Sequence, residues 1–231
     1  TRMTSIQSGA KRDMEMSTKP AANGAHKAAI RQENEEQILA AAERVFADYG
    51  FKGATTARIA EIAKVPKANV HYYFSTKEAL YRRIMEDVCD HWLEAAMTFD
   101  NSADPAVILR GYIEAKMDLS RARPYGSRLW AHEIIRGAKF SSEYISTTVK
   151  DWLDSRVIVI KGWIDEGKMD DIEPYSLMYM IFATTQHYAD FGRQIEIFNN
   201  DQPLSEEQFA EAKENVVRII LKGVGLNETH P

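Results

Sequence analysis

The sequence predicts an all-α protein of about nine helices, with a small N-terminal unit and a larger C-terminal unit. Three observations predict this class. Apolar residues recur every three or four positions from Ala28 almost to the C-terminus, as on one face of a helix. Clusters of glycine, proline and asparagine interrupt that pattern at helix-length intervals. No stretch alternates apolar and polar residues as a half-buried strand does.

Charge is distributed unevenly along the 231 residues, whose net charge is −5. Residues 1–83 contain 14 Lys and Arg against 9 Asp and Glu, a net of +5, which leaves −10 for residues 84–231. A basic N-terminal part on an acidic body indicates a polyanionic partner at one end. No run reaches the roughly eighteen apolar residues of a membrane span, and no apolar signal core opens the chain. These absences predict a cytoplasmic protein without a membrane partner.

The N-terminal helices are separated by clear start and stop signals. Residues 1–27 mix Ser, Lys, Gly, Ala and Met without period and are expected to form a disordered basic arm. Gly50 is expected to end the first helix in a left-handed conformation, and Thr55 or Thr56 to cap a short second helix. Pro66 opens a third helix, and Thr76 starts a long fourth one. The apolar face of the first helix carries Ile38, Ala42, Val45, Phe46 and Tyr49.

The second and third helices form a helix-turn-helix whose own core is small. Its expected apolar residues are Ile59, Ile62, Val65, Val70 and Phe74, packed on Val45 and Phe46. The third helix then presents Lys67, Ala68, Asn69, His71 and Tyr72 outward. A helix fits the major groove of DNA, where asparagine pairs with adenine, lysine reaches guanine and alanine touches a thymine methyl. Thr56, Tyr73 and Lys77 are suited to phosphate contacts, and at least one tyrosine must be exposed because the core is thin.

The stretch "GFKGATTARIAEIAKVPKANVHYYFSTKEALY" resembles the DNA-binding domain of TetR-family transcriptional regulators. The resemblance covers about fifty residues and implies a helix-turn-helix domain over residues 28–85, with Thr55 among its DNA-contacting residues. It also implies a C-terminal ligand-binding and dimerisation domain over residues 86–231. A homodimer would bind a pseudo-palindromic double-stranded operator, with repression as the family default. The family usually has Gly then Ser around the turn valine, where this chain has Lys64 and Pro66. Two alternatives follow: Lys64 adopts a positive φ at some cost, or the turn differs slightly from that of the family.

The C-terminal part contains one unusually apolar helical segment. From Tyr175 to Phe191 the only formal charge is Asp190, which predicts a helix buried on most sides, in a core and an interface together. The last helix carries Phe209, Val216, Val217, Ile219 and Ile220. Two such helices from each protomer could form a four-helix dimer interface. The alternative is a monomer in which both helices share one core.

Polar groups on that apolar helix suggest a binding site. Phe182, Gln186 and Asp190 share one stripe. A buried glutamine needs hydrogen-bond partners, supplied either by the protein or by a ligand. Its amide complements the N–H/C=O edge of a lactam, imide or pyrimidine. Trp92, Trp130, Tyr125 and Phe182 could supply flat walls.

A second resemblance concerns the body of the chain. The stretches "IFATTQHYADF", "SRLWAHE" and "ANVHYYF" are similar to a pyrimidine-sensing subgroup of the same family, whose members respond to uracil or thymine. The subgroup places a tryptophan and a glutamine in its pocket, which implies Trp92 and Gln186 here. Phe182 stands where that subgroup would have a tryptophan. The resemblance implies a small-molecule effector, a pyrimidine or a related catabolite, and an unrelated small aromatic or lactam ligand is the alternative.

Two other classes of function are compatible with parts of the sequence. His132, Glu133, His187 and Asp190 could form a metal or acid–base cluster of a metal-dependent helical enzyme. No HExxH, P-loop, dinucleotide fingerprint or nucleophile elbow appears, and Cys89, the lone cysteine, is expected to be a buried spectator. We therefore expect no catalytic residue, no metal site and no cofactor. A ligand-independent architectural DNA-binding protein is the remaining alternative, and it would need no polar group within the apolar helix.

Overall fold

The computed structural model describes residues 19–95, 99 and 104–226, and within them it contains ten helices and no strand. This confirms the all-α class. Helix α7 is continuous, consisting of Ser142–Tyr144, a π-helical turn at Ile145–Val149 and Lys150–Asp165. No helix in the described ranges is both long and apolar enough to cross a membrane. The other helices are α1 (Lys19–Gly53), α2 (Thr56–Ala63), α3 (Lys67–Tyr73), α4 (Lys77–Glu94), α5 (Pro105–Ala122), α6 (Pro124–Ile135), α8 (Pro174–Asp190), α9 (Gly192–Phe198) and α10 (Glu206–Gly223).

Helix α1 begins earlier than the sequence predicts. Residues 1–18 of the expected arm lie outside the described residues, but residues 19–27 already belong to α1, so the prediction of disorder is wrong for them. Residues 21–29 include five alanines, the residue with the highest helix propensity, so the helix extends backwards from its packed part. At its other end Gly50 has φ 66 and ψ 172, which confirms the break at this glycine.

The turn of the helix-turn-helix contains a lysine in a left-handed conformation. Lys64 has φ 57 and ψ 34 and follows the last residue of α2, which is the first of the two alternatives. Its N–H donates to the carbonyls of Ala60 and Glu61. Thr55 caps α2 by accepting from the N–H of Arg58, and Thr76 caps α4 by accepting from the N–H of Ala79. Short connections between these helices are possible because the backbone groups at the helix ends find hydrogen-bond partners within a few residues.

Glycine at position 64 should stabilise the protein. A non-glycine residue in the left-handed region is strained by its Cβ, whereas glycine loses more chain entropy on folding. We expect Lys64→Gly to raise the free energy of unfolding by about 0.5 kcal/mol in urea denaturation. Glu61→Gly is the control, because it lies within α2 and should lower that free energy by about 1 kcal/mol. A loss of stability in both variants would contradict the assigned backbone conformation.

Two hydrophobic clusters form the core. The N-terminal cluster joins α1–α4 to Leu129 of α6, and the second cluster joins α5, α7, α8 and α10. The predicted core of the helix-turn-helix is largely confirmed, since Ile59, Val70 and Phe74 are buried. Ile62 was predicted wrongly: it is 41% exposed because α2 turns that side away from α1. Helix α4 contributes buried residues to the N-terminal cluster along most of its length, from Leu80 to Trp92.

Helix α8 is buried on one face only. Leu177, Met178 and Ile181 lie in the core of the protomer, whereas Tyr179 is 56% exposed. The protomer supplies the core part of the expected burial, and burial of the other sides in an interface stays a prediction. The helix also ends at Asp190, and after Phe191 a separate short helix, α9, begins at Gly192.

Candidate functional site

Helix α3 stands at the surface on a narrow hydrophobic base. Val70 is almost fully buried and Phe74, which ends the helix, packs in the same cluster. Pro66 precedes the first turn, where its missing N–H removes no helical bond. The inner side of α3 is therefore supported by residues of α1, α2 and the start of α4, and its outer side is uncovered. This arrangement leaves one face of a seven-residue helix free for a partner.

The residues predicted to contact DNA lie on this surface. Tyr72 is 70% exposed, which confirms that at least one tyrosine leaves the core. Its ring contacts that of Tyr73 edge-on, at 5.2 Å between centroids. The hydroxyl of Thr55 caps α2 and is already used locally. Lys67, Ala68 and His71 are exposed, and Thr56, Asn69 and Tyr73 are half-buried.

Lys77 has a structural partner that the sequence did not reveal. Its ammonium donates to the carbonyl of Ala54 at 3.1 Å and lies 4.6 Å from the centre of the Phe51 ring. It therefore ties the start of α4 to the loop before α2. An ammonium has three donors, so the expected phosphate contact stays a prediction alongside this role.

Two arginines beside the helix-turn-helix were missed by sequence reasoning. The guanidinium of Arg31 lies 5.7 Å from the centre of the Tyr72 ring, which brings the early part of α1 next to α3. Arg58 covers the ring of Tyr49 at 4.1 Å. Tyr49 was expected on the buried face of α1 but is 51% exposed. Each pair joins residues that no local sequence pattern connects.

A compact cavity of about 70 Å³ lies in the body, between α4, α5, α6, α7 and α8. It brings together four of the six residues predicted to bind a ligand: Trp92, Trp130, Phe182 and Gln186. The rings of Trp92 and Trp130 are perpendicular, with centroids 5.8 Å apart. The complete lining is Cys89, Trp92, Leu93, Tyr112, Lys116, Trp130, Val149, Trp152, Phe182 and Gln186.

Tyr125 and Asp190 do not line this cavity, so their role in binding a ligand stays a prediction. Tyr125 lies at the start of α6, where its ring contacts the guanidinium groups of Arg44 and Arg128. Asp190 lies one turn beyond Gln186, and its carboxylate accepts a hydrogen bond of 2.5 Å from the hydroxyl of Ser127. Burial raises the pKa of Asp190, although the Ser127 bond lowers it in part.

The most informative cavity residue missed from the sequence is Lys116 on α5. It is 2% exposed, and its ammonium lies 4.8 Å from the Trp92 ring and 5.1 Å from the Phe182 ring. Burial lowers its pKa to about 8. The apolar periodicity of α5 places position 116 on the inner face, and this was the signal in the sequence. A buried lysine is rare, however, and the residue type therefore pointed to the surface.

Residues considered for a metal-dependent enzyme have other partners. Glu133 accepts hydrogen bonds from the hydroxyl of Tyr81 at 3.2 Å and from the N–H of Phe140 at 2.6 Å. The ring of His187 stacks on Phe191 at 4.9 Å. Among the described residues, no three His, Cys, Asp or Glu side chains come close enough to hold a metal ion. Cys89 is buried as expected, and burial raises the pKa of its thiol to about 12.

A polar link joins the helix-turn-helix unit to the body. Arg123, between α5 and α6, donates to Glu43 of α1 at 2.5 Å and to Asp87 of α4 at 3.0 Å. The helices approach closely here because position 126 is a glycine. A Cβ on Gly126 would lie 2.8 Å from a methyl group of Val88 and 2.9 Å from a carboxylate oxygen of Glu43.

Comparison with known proteins agrees with this geometry. Residues 38–84 match the model of the tetR family of bacterial regulatory proteins, and residues 85–227 match the C-terminal region of YcdC-like proteins. The chain is 38% identical to the HTH-type transcriptional regulator RutR of Escherichia coli K12 over 187 residues, which are 81% of this chain and 88% of RutR. The chain belongs to the TetR family. It is accordingly a DNA-binding transcriptional regulator of the helix-turn-helix type.

Solved structures of TetR-family and other regulators share the fold. The transcriptional regulator SCO4942 of Streptomyces coelicolor aligns with a TM-score of 0.63 at 25% identity, over 83% of this chain and 98% of that one. FadR of Bacillus subtilis, solved in complex with stearoyl-CoA, aligns with a TM-score of 0.61 at 17% identity. That alignment covers 81% of this chain and 98% of FadR.

Proposed function

We propose that this TetR-family chain is a homodimeric repressor that leaves its operator when a small planar molecule fills the cavity. A pyrimidine or a related catabolite is the proposed effector. The observation that carries the proposal is the course of α4. Its first half packs on α1 in the same hydrophobic cluster that holds α2 and α3, and Cys89, Trp92 and Leu93 from its last turns line the cavity. At 1.5 Å per residue, about 18 Å separates Leu80 from Trp92 along this rigid element.

The DNA-binding part of the proposal rests on the exposed face of α3. Asn69 and Lys67 are the residues proposed to read bases, with Ala68, His71 and Tyr72 beside them. Thr55, Thr56, Tyr73 and Lys77 are proposed to contact phosphates. Phosphate contacts fix the position of a protein on DNA, whereas contacts to base edges supply sequence preference.

Variants of α3 separate these two roles. Asn69→Ala and Lys67→Ala should each reduce discrimination between operator and scrambled DNA by about 1–3 kcal/mol, because a base contact is lost. Lys77→Ala should weaken binding to both duplexes alike. Lys52→Ala, an exposed change outside α3, is the control. Fluorescence anisotropy on an operator selected from random DNA measures all four, and an equal loss of preference in every variant would refute the division of roles.

The effector part of the proposal rests on Gln186 in an aromatic cavity. Its half-buried amide offers a donor beside an acceptor, the complement of a pyrimidine edge, and forms no hydrogen bond with another described residue. Trp92, Trp130 and Phe182 supply ring faces around it. The resemblance to the pyrimidine-sensing subgroup supports the same class of ligand.

A thermal-shift screen with uracil, thymine, dihydropyrimidines and purines tests the effector. A ligand at 100 times its dissociation constant stabilises the protein by roughly 2.7 kcal/mol, which is a visible shift. Gln186→Ala should abolish the response, whereas Gln194→Ala on the exposed side of α9 should retain it. A pyrimidine response that survives in Gln186→Ala would remove Gln186 from the site.

The dimer part of the proposal rests on apolar side chains that the protomer leaves uncovered. On α8, Tyr179 is 56% and Met180 49% exposed, and on α10, Ile219 is 65% exposed. The two helices contact each other through the rings of Tyr188 and Phe209. A second copy that covers both faces would bury them in a four-helix interface. Phe209, Val217 and Ile220, expected in that interface, lie instead in the core of the protomer.

Two isoleucines of equal exposure provide a matched test of the dimer. Ile219→Glu should convert the dimer into a monomer, because it places a charge in the proposed interface. Ile158 on α7 is also 65% exposed but lies outside that interface, so Ile158→Glu should remain dimeric. Light scattering after size exclusion gives the mass of each. A monomeric unmodified protein, or a dimer in both variants, would contradict the proposed interface.

A further inference from the structure

The wall of the cavity contains a positive charge without a protein counter-ion. The ammonium of Lys116 lies between the faces of Trp92 and Phe182, and it forms no ion pair or hydrogen bond with any described residue. The nearest acidic group that acts on it, Asp190, is already bonded to Ser127 and lies beyond ion-pair distance. The Cys89 thiol is the other titratable neighbour. Only two aromatic faces support this ammonium within the described part of the protein.

A buried ammonium without a counter-ion lowers the stability of the folded protein. A buried charge is normally paired, because its hydration is lost on folding. Aromatic faces replace part of that hydration but provide no acceptor for the three ammonium protons. Burial lowers the pKa of the amine to about 8, which still leaves the protonated form favoured at pH 7. The cavity is therefore positively charged under ordinary conditions.

A second donor in the same wall also has no partner. The indole Nε1 of Trp152 is buried, and no described residue accepts its hydrogen. Trp152 lines the cavity next to Phe182, with ring centroids 6.4 Å apart. Its Nε1 has almost no accessible surface, so a molecule in the cavity meets the ring and not the indole N–H. The Lys116 ammonium is therefore the donor in this wall that calls for an acceptor oxygen on a ligand.

We propose that the effector is an anion, a planar ring bearing a carboxylate that pairs with Lys116. The inference rests on the proposed function, since it specifies the ligand of the same cavity. The ring lies between the aromatic walls, and Gln186 binds its polar edge. The carboxylate accepts from the Lys116 ammonium. A neutral ring without the carboxylate would leave the buried charge unpaired.

Matched pairs of probes test this assignment in the full-length protein at pH 7. Uracil is compared with uracil-6-carboxylate, and benzamide with benzoate, by isothermal titration calorimetry. We expect uracil-6-carboxylate to bind at least about tenfold more tightly than uracil, because it gains a charge-assisted bond in a dry site. Lys116→Met, which keeps the volume but removes the charge, should abolish that preference. Lys139→Met is the control, because Lys139 also contacts an aromatic ring but is exposed.

The outcomes distinguish this inference from the function on which it rests. If uracil binds as tightly as its carboxylate and still requires Gln186, the inference is overturned and the pyrimidine sensor stands. A carboxylate preference that persists in Lys116→Met also overturns it. If no probe binds, both proposals fail. Should Lys116→Met not fold, carbon NMR of labelled lysines in the unmodified protein provides the readout, because carboxylate binding must shift the Lys116 signal.

Discussion

Replacing Arg123 with glutamine should lower the free energy of unfolding by about 2–4 kcal/mol. The substitution leaves the carboxylate of Glu43 without its cation. Glu43 is a buried residue, with 8% of its surface exposed. It also releases Asp87 of α4. Removing one partner of a buried pair is strongly destabilising because the remaining charge stays away from water. Urea denaturation measures the loss.

The double variant Arg123→Gln, Glu43→Gln provides the control for this prediction. Without the carboxylate, no uncompensated charge remains, so the double variant should recover a large part of the lost stability. Arg193→Gln, which removes exposed pairs with Glu196 and Asp201, should change stability by less than about 1 kcal/mol. If the single and double variants are equally unstable, the charge of Glu43 is not the cause.

Lys116→Met should stabilise the empty protein by about 2–3 kcal/mol at pH 7. The folded state lowers the lysine pKa from 10.5 to about 8, so the unfolded chain binds more protons between these values. Stability therefore rises with pH across this window, and the cost of the buried ammonium is fully present below pH 8. The advantage of the methionine variant should decrease above pH 8 and vanish near pH 10.5.

The free energy of unfolding of the unmodified protein and of Lys116→Met is measured at each pH, and the difference between the two values is the test. Cys89 acts in the opposite direction, because its pKa is raised from 9 to about 12 and the folded state retains a proton that the unfolded chain loses. That contribution is common to both proteins and largely cancels in the difference. A difference that does not change with pH would show that the Lys116 ammonium is not buried at a cost. Lys139→Met should match the unmodified protein throughout.

The helix-turn-helix was predictable because its signals are local. Thr55, Gly50 and Pro66 act within one or two turns of the helix ends that they define, so their roles follow from the sequence alone. Of the two alternatives for the turn, a positive φ at Lys64 or a slightly different geometry, the structure has the first. The end of α8 at Asp190 and the start of α9 were not predicted, although Gly192 directly follows the break at Phe191 and was the available signal.

The cavity was only partly predictable because it depends on how distant helices pack. Trp92 and Gln186 could be named from the family resemblance and the helical stripe. Lys116 and Trp152 could not be named, because they lie on separate helices and line one cavity only after α5 and α7 have packed together. Asp190 shares the stripe of Gln186 but bonds to Ser127, because a shared stripe does not specify which residues a neighbouring helix covers.

These features together suggest how the two sites communicate. An effector in the cavity would contact the last turns of α4. Arg123 bonds α1 and α4 to the body through Glu43 and Asp87. A small pivot of α4 would then change the spacing of two α3 helices in a dimer. Such coupling requires the effector to bind the DNA-incompetent arrangement more tightly, since equal affinity for both arrangements shifts nothing.

The most direct test is the affinity of the dimer for a selected operator with and without saturating effector, measured by fluorescence anisotropy. The effectors are uracil, thymine and uracil-6-carboxylate, with binding verified by calorimetry. Coupling of about 2–3 kcal/mol predicts that an effector weakens operator binding roughly 30- to 150-fold in the unmodified protein and has no effect in Gln186→Ala. If an effector occupies the cavity and operator affinity is unchanged, the cavity does not control DNA binding and the central claim fails.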